Sequence, residues 1–387
     1  EGIPQSQVEA DRPLLFQSEN EARLMNNLHT YMTNKNMSLA MEAKKQKLTI
    51  SLSLDAEHDI KDAMQKLLTA MSNMAPLNAQ QFSMKAVMEA GQWQGVLQDT
   101  YASSQQRLTE LLFDKDDINH TPAPQQMIEK LKRVTMADMS QFKNELFEAG
   151  RPFAVTMLTN EKKNIDDLGK AASLLWDRFQ GKKRVMENPF DDHTSNHLVI
   201  QPSLQKIKLQ GKPDGHGVMG VRVAVDKNNP VWTHLSLGIN IFGSGMYSRL
   251  NKKLRIADGR TYGAYARLRG GQYSSDSYVH VFASFSNDTI KEDTEEMRKL
   301  WDEFVKYGVT KEEFEEAKMH MENSLNVAMD NLENLIGLSH NTLMNNKNLN
   351  LMVIMDRIKN TRYEDVNNAI EDHLKGKPVV TIIAGDV

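Results

Sequence analysis

Eleven histidines and no cysteine bound the metal and nucleophile chemistry open to this chain of 387 residues. Without cysteine there is no disulfide, no thiolate zinc site and no cysteine nucleophile. A hydrolytic zinc centre on a helix needs two imidazoles on one face with a glutamate between them, as His-x-x-Glu-His. No histidine here stands in that pattern. His193 and His197 have the i, i+4 spacing, but they lack the internal glutamate and precede a strand, so they read as a solvated pair. Glu316 and His320 share that spacing on a charge-rich helix and read as its surface. No metal site is expected. Gly243-Ser244-Gly245 lies between two helical patterns, which is the wrong context for a serine nucleophile elbow or a phosphate loop. The 23 methionines fall mostly on apolar helix faces, as core filler.

Two side chains stand apart: Arg255, and Tyr262 seven residues on. The elements that must position them occupy 231–285. Leu235, Gly238, Ile239 and Phe242 recur at helical spacing. Gly243 and Gly245 are expected to end that helix through left-handed geometry. Met246, Leu250 and Leu254 mark a second, shorter stripe. Asp258–Gly259 signals a turn, and Tyr262, Ala264, Ala266 and Leu268 then alternate with polar or small residues as a strand. Gly270–Gly271 turns the chain into a second strand from Tyr278 to Phe285. That hairpin could receive an extended chain. A plainer reading makes Arg255 a surface ion-pair partner and Tyr262 a packed strand residue.

The runs Gly243-Ser-Gly-Met-Tyr-Ser248-Arg249-Leu250, Leu254-Arg255 and Gly259-Arg-Thr-Tyr262-Gly263 resemble the C-terminal-half signature of the pitrilysin/insulysin (insulinase) zinc metallopeptidases. The resemblance implies the half of such an enzyme that lacks the zinc and reaches across to the metal site of the other half. Arg255 and Tyr262 would then serve catalysis by binding the substrate and its transition state, with Gly263 and Ser248 as substrate-binding positions. It implies no cofactor in this chain and zinc in a partner half or subunit, with unfolded peptide as substrate. Alone, the chain is expected to be inactive. Some relatives only scaffold complexes, so a peptidase-like subunit without proteolytic role is the alternative. The intact spacing of Arg255 and Tyr262 favours the peptidase reading.

Composition fits this. Hydrophobic content of 40% and charged content of 25% are those of a globular chain long enough for two cores. A net charge of −4, with no basic block, gives no sign of nucleic-acid binding. No apolar run is long enough to span a membrane, and no signal peptide is visible at Glu1. The resemblance favours the bacterial periplasm, with cytoplasm or mitochondrion as alternatives.

Along the chain, helices are expected over 19–35, from Ile60 to Met71, from Leu77 to about Phe113 and over 136–148. Strands are expected at Met37–Glu42, Lys47–Leu54 and Phe153–Leu158. The same programme then recurs. Leu52-Ser-Leu54 aligns with Ala283-Ser-Phe285, and the helix start at Leu77–Phe82 with that at Val309–Phe314. Lys132–Met139 aligns with Lys359–Val366, and Val155–Leu158 with Val380–Ile383. The offsets of 231, 232, 227 and 225 point to tandem duplication. Asn78/Gln81 and Thr310/Glu313 have capping-box spacing, with Leu77/Phe82 and Val309/Phe314 as hydrophobic staples. The expected fold is α+β: two homologous domains, each a mostly antiparallel sheet packed with helices, of the insulinase-type metallopeptidase kind. The domains are 1–180, with its first strand and helix missing or lying before Glu1, and 198–387, which carries the Arg/Tyr pair. A polar linker at 181–197 joins them.

Overall fold

The computed structural model describes residues 37–43, 48–55, 59–72, 78–147, 155–179, 199–271, 276–344 and 351–387. The helix expected over 19–35, the linker, and His193 and His197 lie outside these residues. The chain forms two compact units, 1–91 with 129–186, and 92–128 with 187–387. This division differs from one placed at the linker, because 92–128 packs with the later residues.

The elements in chain order are β1 (Ser38–Ala43), β2 (Leu48–Ser53), α1 (Ile60–Ser72), α2 (Ala79–Val96), α3 (Thr100–Leu112), α4 (Pro124–Arg133), α5 (Met136–Phe147) and α6 (Ile165–Phe179). Then come β3 (Ser203–Lys208), β4 (Asp214–Arg222), α7 (Val231–Gly243), a π-helix (Asn251–Ala257), β5 (Ala264–Arg269) and β6 (Tyr278–Ser286). They are followed by α8 (Ile290–Tyr307), α9 (Lys311–Met329), α10 (Leu332–Met344), α11 (Leu351–Asn360), α12 (Tyr363–Leu374) and β7 (Val380–Gly385). No described helix is long and apolar enough to cross a membrane.

In the first unit β1 and β2 pair antiparallel. The alternation in β2 turns Ile50 and Leu52 toward Ile60, Met64 and Leu67 of α1 and Ala171 of α6. The strand expected to end at Leu158 is not seen in its described part. Residues 155–158 have no strand pairing, and Met157 packs into this helix-lined core instead. Its aligned partner, Val380–Ile383, lies in β7.

The second unit is built on a five-stranded sheet in the order β3-β7-β4-β6-β5. Only β3 and β7 run parallel, so the α+β class with a mostly antiparallel sheet holds. Every residue of β7 is buried, because the sheet is covered on both faces. One face packs on α7, α8 and α12 through Leu235, Ile239, Phe242, Met297, Trp301, Phe304, Val366 and Ile370. The Phe242 ring stacks on Phe304 at 4.8 Å and meets Trp301 edge-on at 5.4 Å. The other face is covered by α3, whose Leu108 and Leu112, with Phe113, pack on Val218, Tyr278, Val380 and Ile382. Gly220 gives that helix room, since a methyl there would come within 2.7 Å of both leucines.

Both capping boxes form. Asn78 and Gln81 exchange hydrogen bonds of 3.0 and 2.9 Å, and Thr310 and Glu313 of 2.8 and 3.2 Å. The aligned positions Asp138 and Asp365 also share a device, accepting the Thr135 and Arg362 amides at 2.8 and 2.9 Å.

Gly243 is not the left-handed stop expected of it. That geometry belongs to Gly245, at φ 90°. Gly243 is needed because a Cβ there would sit 2.4 Å from the Ala266 amide nitrogen and Cβ, where backbone cannot yield. Gly243→Ala should therefore cost about 1–3 kcal/mol by overpacking. Gly91→Ala in α2, where a methyl meets nothing within 4 Å, should instead stabilise by about 0.5–1 kcal/mol. Chemical denaturation of the two variants checks the contrast, and equal effects would contradict it.

Candidate functional site

The segment between α7 and β5 positions Arg255 and Tyr262. After Gly245 the chain turns through Ser248, which is 4% exposed and whose hydroxyl donates to the Gly245 carbonyl at 2.9 Å. Ser248 is therefore engaged inside the turn and does not face solvent. Met246, expected on the apolar stripe, is 45% exposed, while Leu250 and Leu254 are fully buried. The stripe is shorter than its spacing implies because Met246 lies in the turn before the helix starts; 251–257 then winds as a π-helix, closed by a bond from the Asp258 amide to the Lys253 carbonyl at 3.0 Å.

Asn251 fixes this helix to the edge strand. Its side chain accepts the Ala264 amide at 3.0 Å, donates to the Ala264 carbonyl at 2.9 Å, and reaches the Gly245 carbonyl at 2.9 Å. It thus pairs with β5 as a neighbouring strand would at that one residue. Arg249, just before it, forks onto Glu313 with bonds of 2.7 and 2.6 Å and lies over the Phe304 ring. Burial opposes ionisation of Glu313, but hydrogen bonds from Arg249 and Thr310, with the Arg249 charge, outweigh it and hold the carboxyl below its usual value.

Past the π-helix, Gly259 takes φ 63°. Arg260 bridges Asp258 at 3.0 Å and the buried Asp293 of α8 at 2.6 Å. The Thr261 hydroxyl donates to the Ser284 carbonyl at 2.6 Å and accepts the Gly263 amide at 3.1 Å. The loop is thus tied down on both sides of Tyr262, yet Tyr262 itself is 88% exposed. Tyr262 stands in a bend two residues before β5, not on the strand as its alternation suggested. Arg255 is exposed as well. Among the described residues neither makes a hydrogen bond or an ion pair, whereas Lys253 and Arg260 beside them are both paired. Gly263 is half-buried, and a side chain there would press on the Tyr265 ring at 3.0 Å. β5, into which this loop leads, is one of the two edge strands of the sheet among the described residues, β3 being the other.

Among the described residues no three His, Asp or Glu side chains gather as metal ligands, so they do not offer zinc a donor set. Glu316 and His320 are both exposed.

The comparisons with known proteins agree with this architecture. Residues 163–321 match the peptidase M16 inactive domain family. The fold is similar to the crystal structure of a peptidase M16 inactive domain from Pseudomonas fluorescens, with a TM-score of 0.77 at 16% identity over 93% of this chain and 84% of that one. It is also similar to the periplasmic protease PqqL of Escherichia coli, with a TM-score of 0.68 at 13% identity, over 94% of this chain but 39% of that one. In sequence the chain is 19% identical over 249 residues to the "Non-peptidase homolog YmxG" of Helicobacter pylori, covering 63% of this chain. The chain spans about half the length of that curated relative (54%). The family match over 163–321 and the shared fold bear out the resemblance to the insulinase-type peptidases.

Two outcomes follow from the loop. Asn251→Ala leaves the buried Ala264 amide and carbonyl without partners, at about 1–3 kcal/mol for each such group. Its melting temperature should fall and the Ala264 amide should exchange faster with solvent; unchanged exchange would show that the contact is dispensable. Glu313 is ionised more readily folded than unfolded, so its contribution is present above the ordinary carboxylate value of 4.5 and disappears as pH falls through the lower folded value. Stability should decline below that pH, with a shallower slope in Glu313→Gln, as read by melting curves from pH 7 to pH 3.

Proposed function

We propose that this chain is the non-zinc half of a split-site zinc peptidase, closing over a zinc-bearing partner and holding the peptide to be cut. The observation that carries the reading is the state of Arg255 and Tyr262. Both are exposed and unpartnered among the described residues, on a loop whose neighbouring side chains are anchored. The polar atoms of Arg255 and Tyr262 are not used within the described fold and face water. A guanidinium and a phenol held ready at one end of an edge strand are instead suited to an outside acceptor.

The chemistry is that of peptide hydrolysis. When a peptide carbonyl is attacked, negative charge grows on its oxygen, and preorganised donors at that point lower the barrier. Tyr262 supplies one hydroxyl and Arg255 up to two parallel N–H groups. An extended substrate would lie along the β5 edge, where main-chain pairing gives affinity without sequence demand. Gly263 would border it, and Ser248 would act by holding the turn. The metal and the water it activates would come from the partner half, and the isolated chain would cleave no peptide.

A second reading has its own support. The curated relative in Helicobacter pylori is named a non-peptidase homolog. On that reading the chain is a peptidase-like scaffold, and Arg255 and Tyr262 contact a protein partner or nothing.

Tyr262→Phe in the assembled enzyme separates the two. Folding should be nearly unaffected, because the ring is exposed. If the hydroxyl faces the developing oxyanion, kcat should fall by roughly 10²–10³. If it holds only the ground-state peptide, KM should rise with kcat preserved. Arg255→Lys keeps the charge but loses the planar fork, so it too should impair turnover. Unchanged kinetics in both variants, or no turnover with any zinc-bearing partner, would leave the scaffold reading.

A further inference from the structure

The face of the β5–β6 ladder turned toward α3 carries a group of side chains that the reading above does not use. The ladder sets Tyr265 opposite Phe282 and Arg267 opposite His280. Tyr265 stacks on Phe282 at 5.3 Å, and Tyr101 of α3 packs on Phe282 in a tilted arrangement at 4.9 Å. Burial raises the pKa of the Tyr101 hydroxyl, and the Arg269 and Arg267 charges both act on it to oppose that rise. These contacts put Tyr265, Arg267 and Arg269 on one face of the edge strand, in agreement with its period of two.

Neither arginine has a carboxylate partner among the described residues, although carboxylates are common in the chain. Arg267 is exposed, and Arg269 is half-buried with its Nε out of solvent and unpartnered. Beneath them His280 is completely buried, stacked at 5.0 Å on Phe282, and neither ring nitrogen has a hydrogen-bond partner. Burial, with the charges of Arg269 and Arg267, pushes its pKa down to about 3, so the ring is neutral and the positive charge here belongs to the two arginines. Buried polar atoms are nearly always satisfied, so the Arg269 Nε–H, out of solvent and without an acceptor, needs an account. An anion supplies one: a carboxylate meets an arginine fork with two parallel charge-assisted bonds.

We propose that Arg267 and Arg269 form a carboxylate-recognition subsite, selecting extended peptides that carry aspartate or glutamate over this face of β5. The inference rests on the peptide-holding role above and adds to it a substrate class. A peptide paired on the outer edge of β5 turns every second side chain to the arginine face. Its acidic residues, at alternate positions, lie within reach of the long guanidinium arms. The Tyr265, Phe282 and Tyr101 rings on the same face lower the local polarity and strengthen the attraction.

The test measures binding of two unfolded peptides to the full chain by calorimetry. They are identical except that one has glutamate, and the other glutamine, at alternate positions. The wild-type chain should prefer the glutamate peptide by about tenfold, the scale of one charged hydrogen-bond pair. Arg267→Gln, at an exposed position, should remove most of that preference while leaving the glutamine peptide's affinity unchanged. Arg255→Gln should weaken both peptides together. Equal affinity for both peptides in the wild type, or loss of both in Arg267→Gln, overturns the acidic preference and leaves the peptide-holding role intact. Failure to bind either peptide overturns both. Binding to phosphatidylserine vesicles that depends on Arg267, with no preference between the peptides, would reassign the arginines to a lipid surface and overturn the proposal.

Discussion

A five-stranded sheet with apolar side chains on both faces must be covered twice, and in this protein the second cover comes from far back in the chain. Leu108, Leu112 and Phe113 close the face formed by Val218, Val380 and Ile382. Fully burying residues of this size is worth about 1.5–3 kcal/mol each. Helix α3 also makes directed bonds to the sheet, from Thr100 to His216 at 2.8 Å and from Arg107 to Gln205 at 2.8 Å. Helix α3 lies over β4, β7 and β3 and leaves this face of β5 to Tyr265, Arg267 and Arg269.

The same economy governs the loop. Its backbone is held by side chains that lie in neither the helix nor the strand patterns: Asn251 on Ala264, Arg260 on Asp293 and Thr261 on Ser284. These bonds fix the chain on both sides of Tyr262 and leave the phenol free. With the backbone fixed, only the rotamers of the side chain itself remain to be ordered by any contact it makes, at about 0.5–1.5 kcal/mol for such a side chain.

Much of this was legible beforehand, and the reasons are specific. The hairpin around Gly270 and Gly271 could be read because both residues need positive φ, at 76° and 74°. The Thr310–Glu313 start could be read because a capping box is local and carries its own spacing. Helix α3 was visible as helix but not as the lid of the later sheet. Its buried side includes Thr100, Ser103, Ser104, Gln106 and Thr109, which look polar in a hydropathy pattern. Ser104 and Thr109 turn their hydroxyls back onto carbonyls of their own helix, which lets them be buried. Asn251 was illegible for a related reason: its role depends on meeting Ala264, thirteen residues away, across a π-turn that no periodicity announces. Arg255 and Tyr262 were singled out by family spacing, which says nothing of exposure, and the bend at Tyr262 is set by Thr261 rather than by strand alternation.

The crossing of the chain between its two compact units has a consequence during synthesis. The residues of α3 emerge from the ribosome long before β4 exists and must wait until residues 380–385 are made before their second face of contact, β7, can form. Such long-range closure is slow, and the waiting leucines are exposed while it lasts. The hydroxyl-rich composition of that helix reads differently in this light. A stripe of leucines broken by serine, threonine and glutamine is less adhesive to other nascent chains than a continuous apolar face, while remaining fit for burial once its hydroxyls close on their own backbone. The polar residues that disguise α3 in the sequence would thus also guard it on the way to its place.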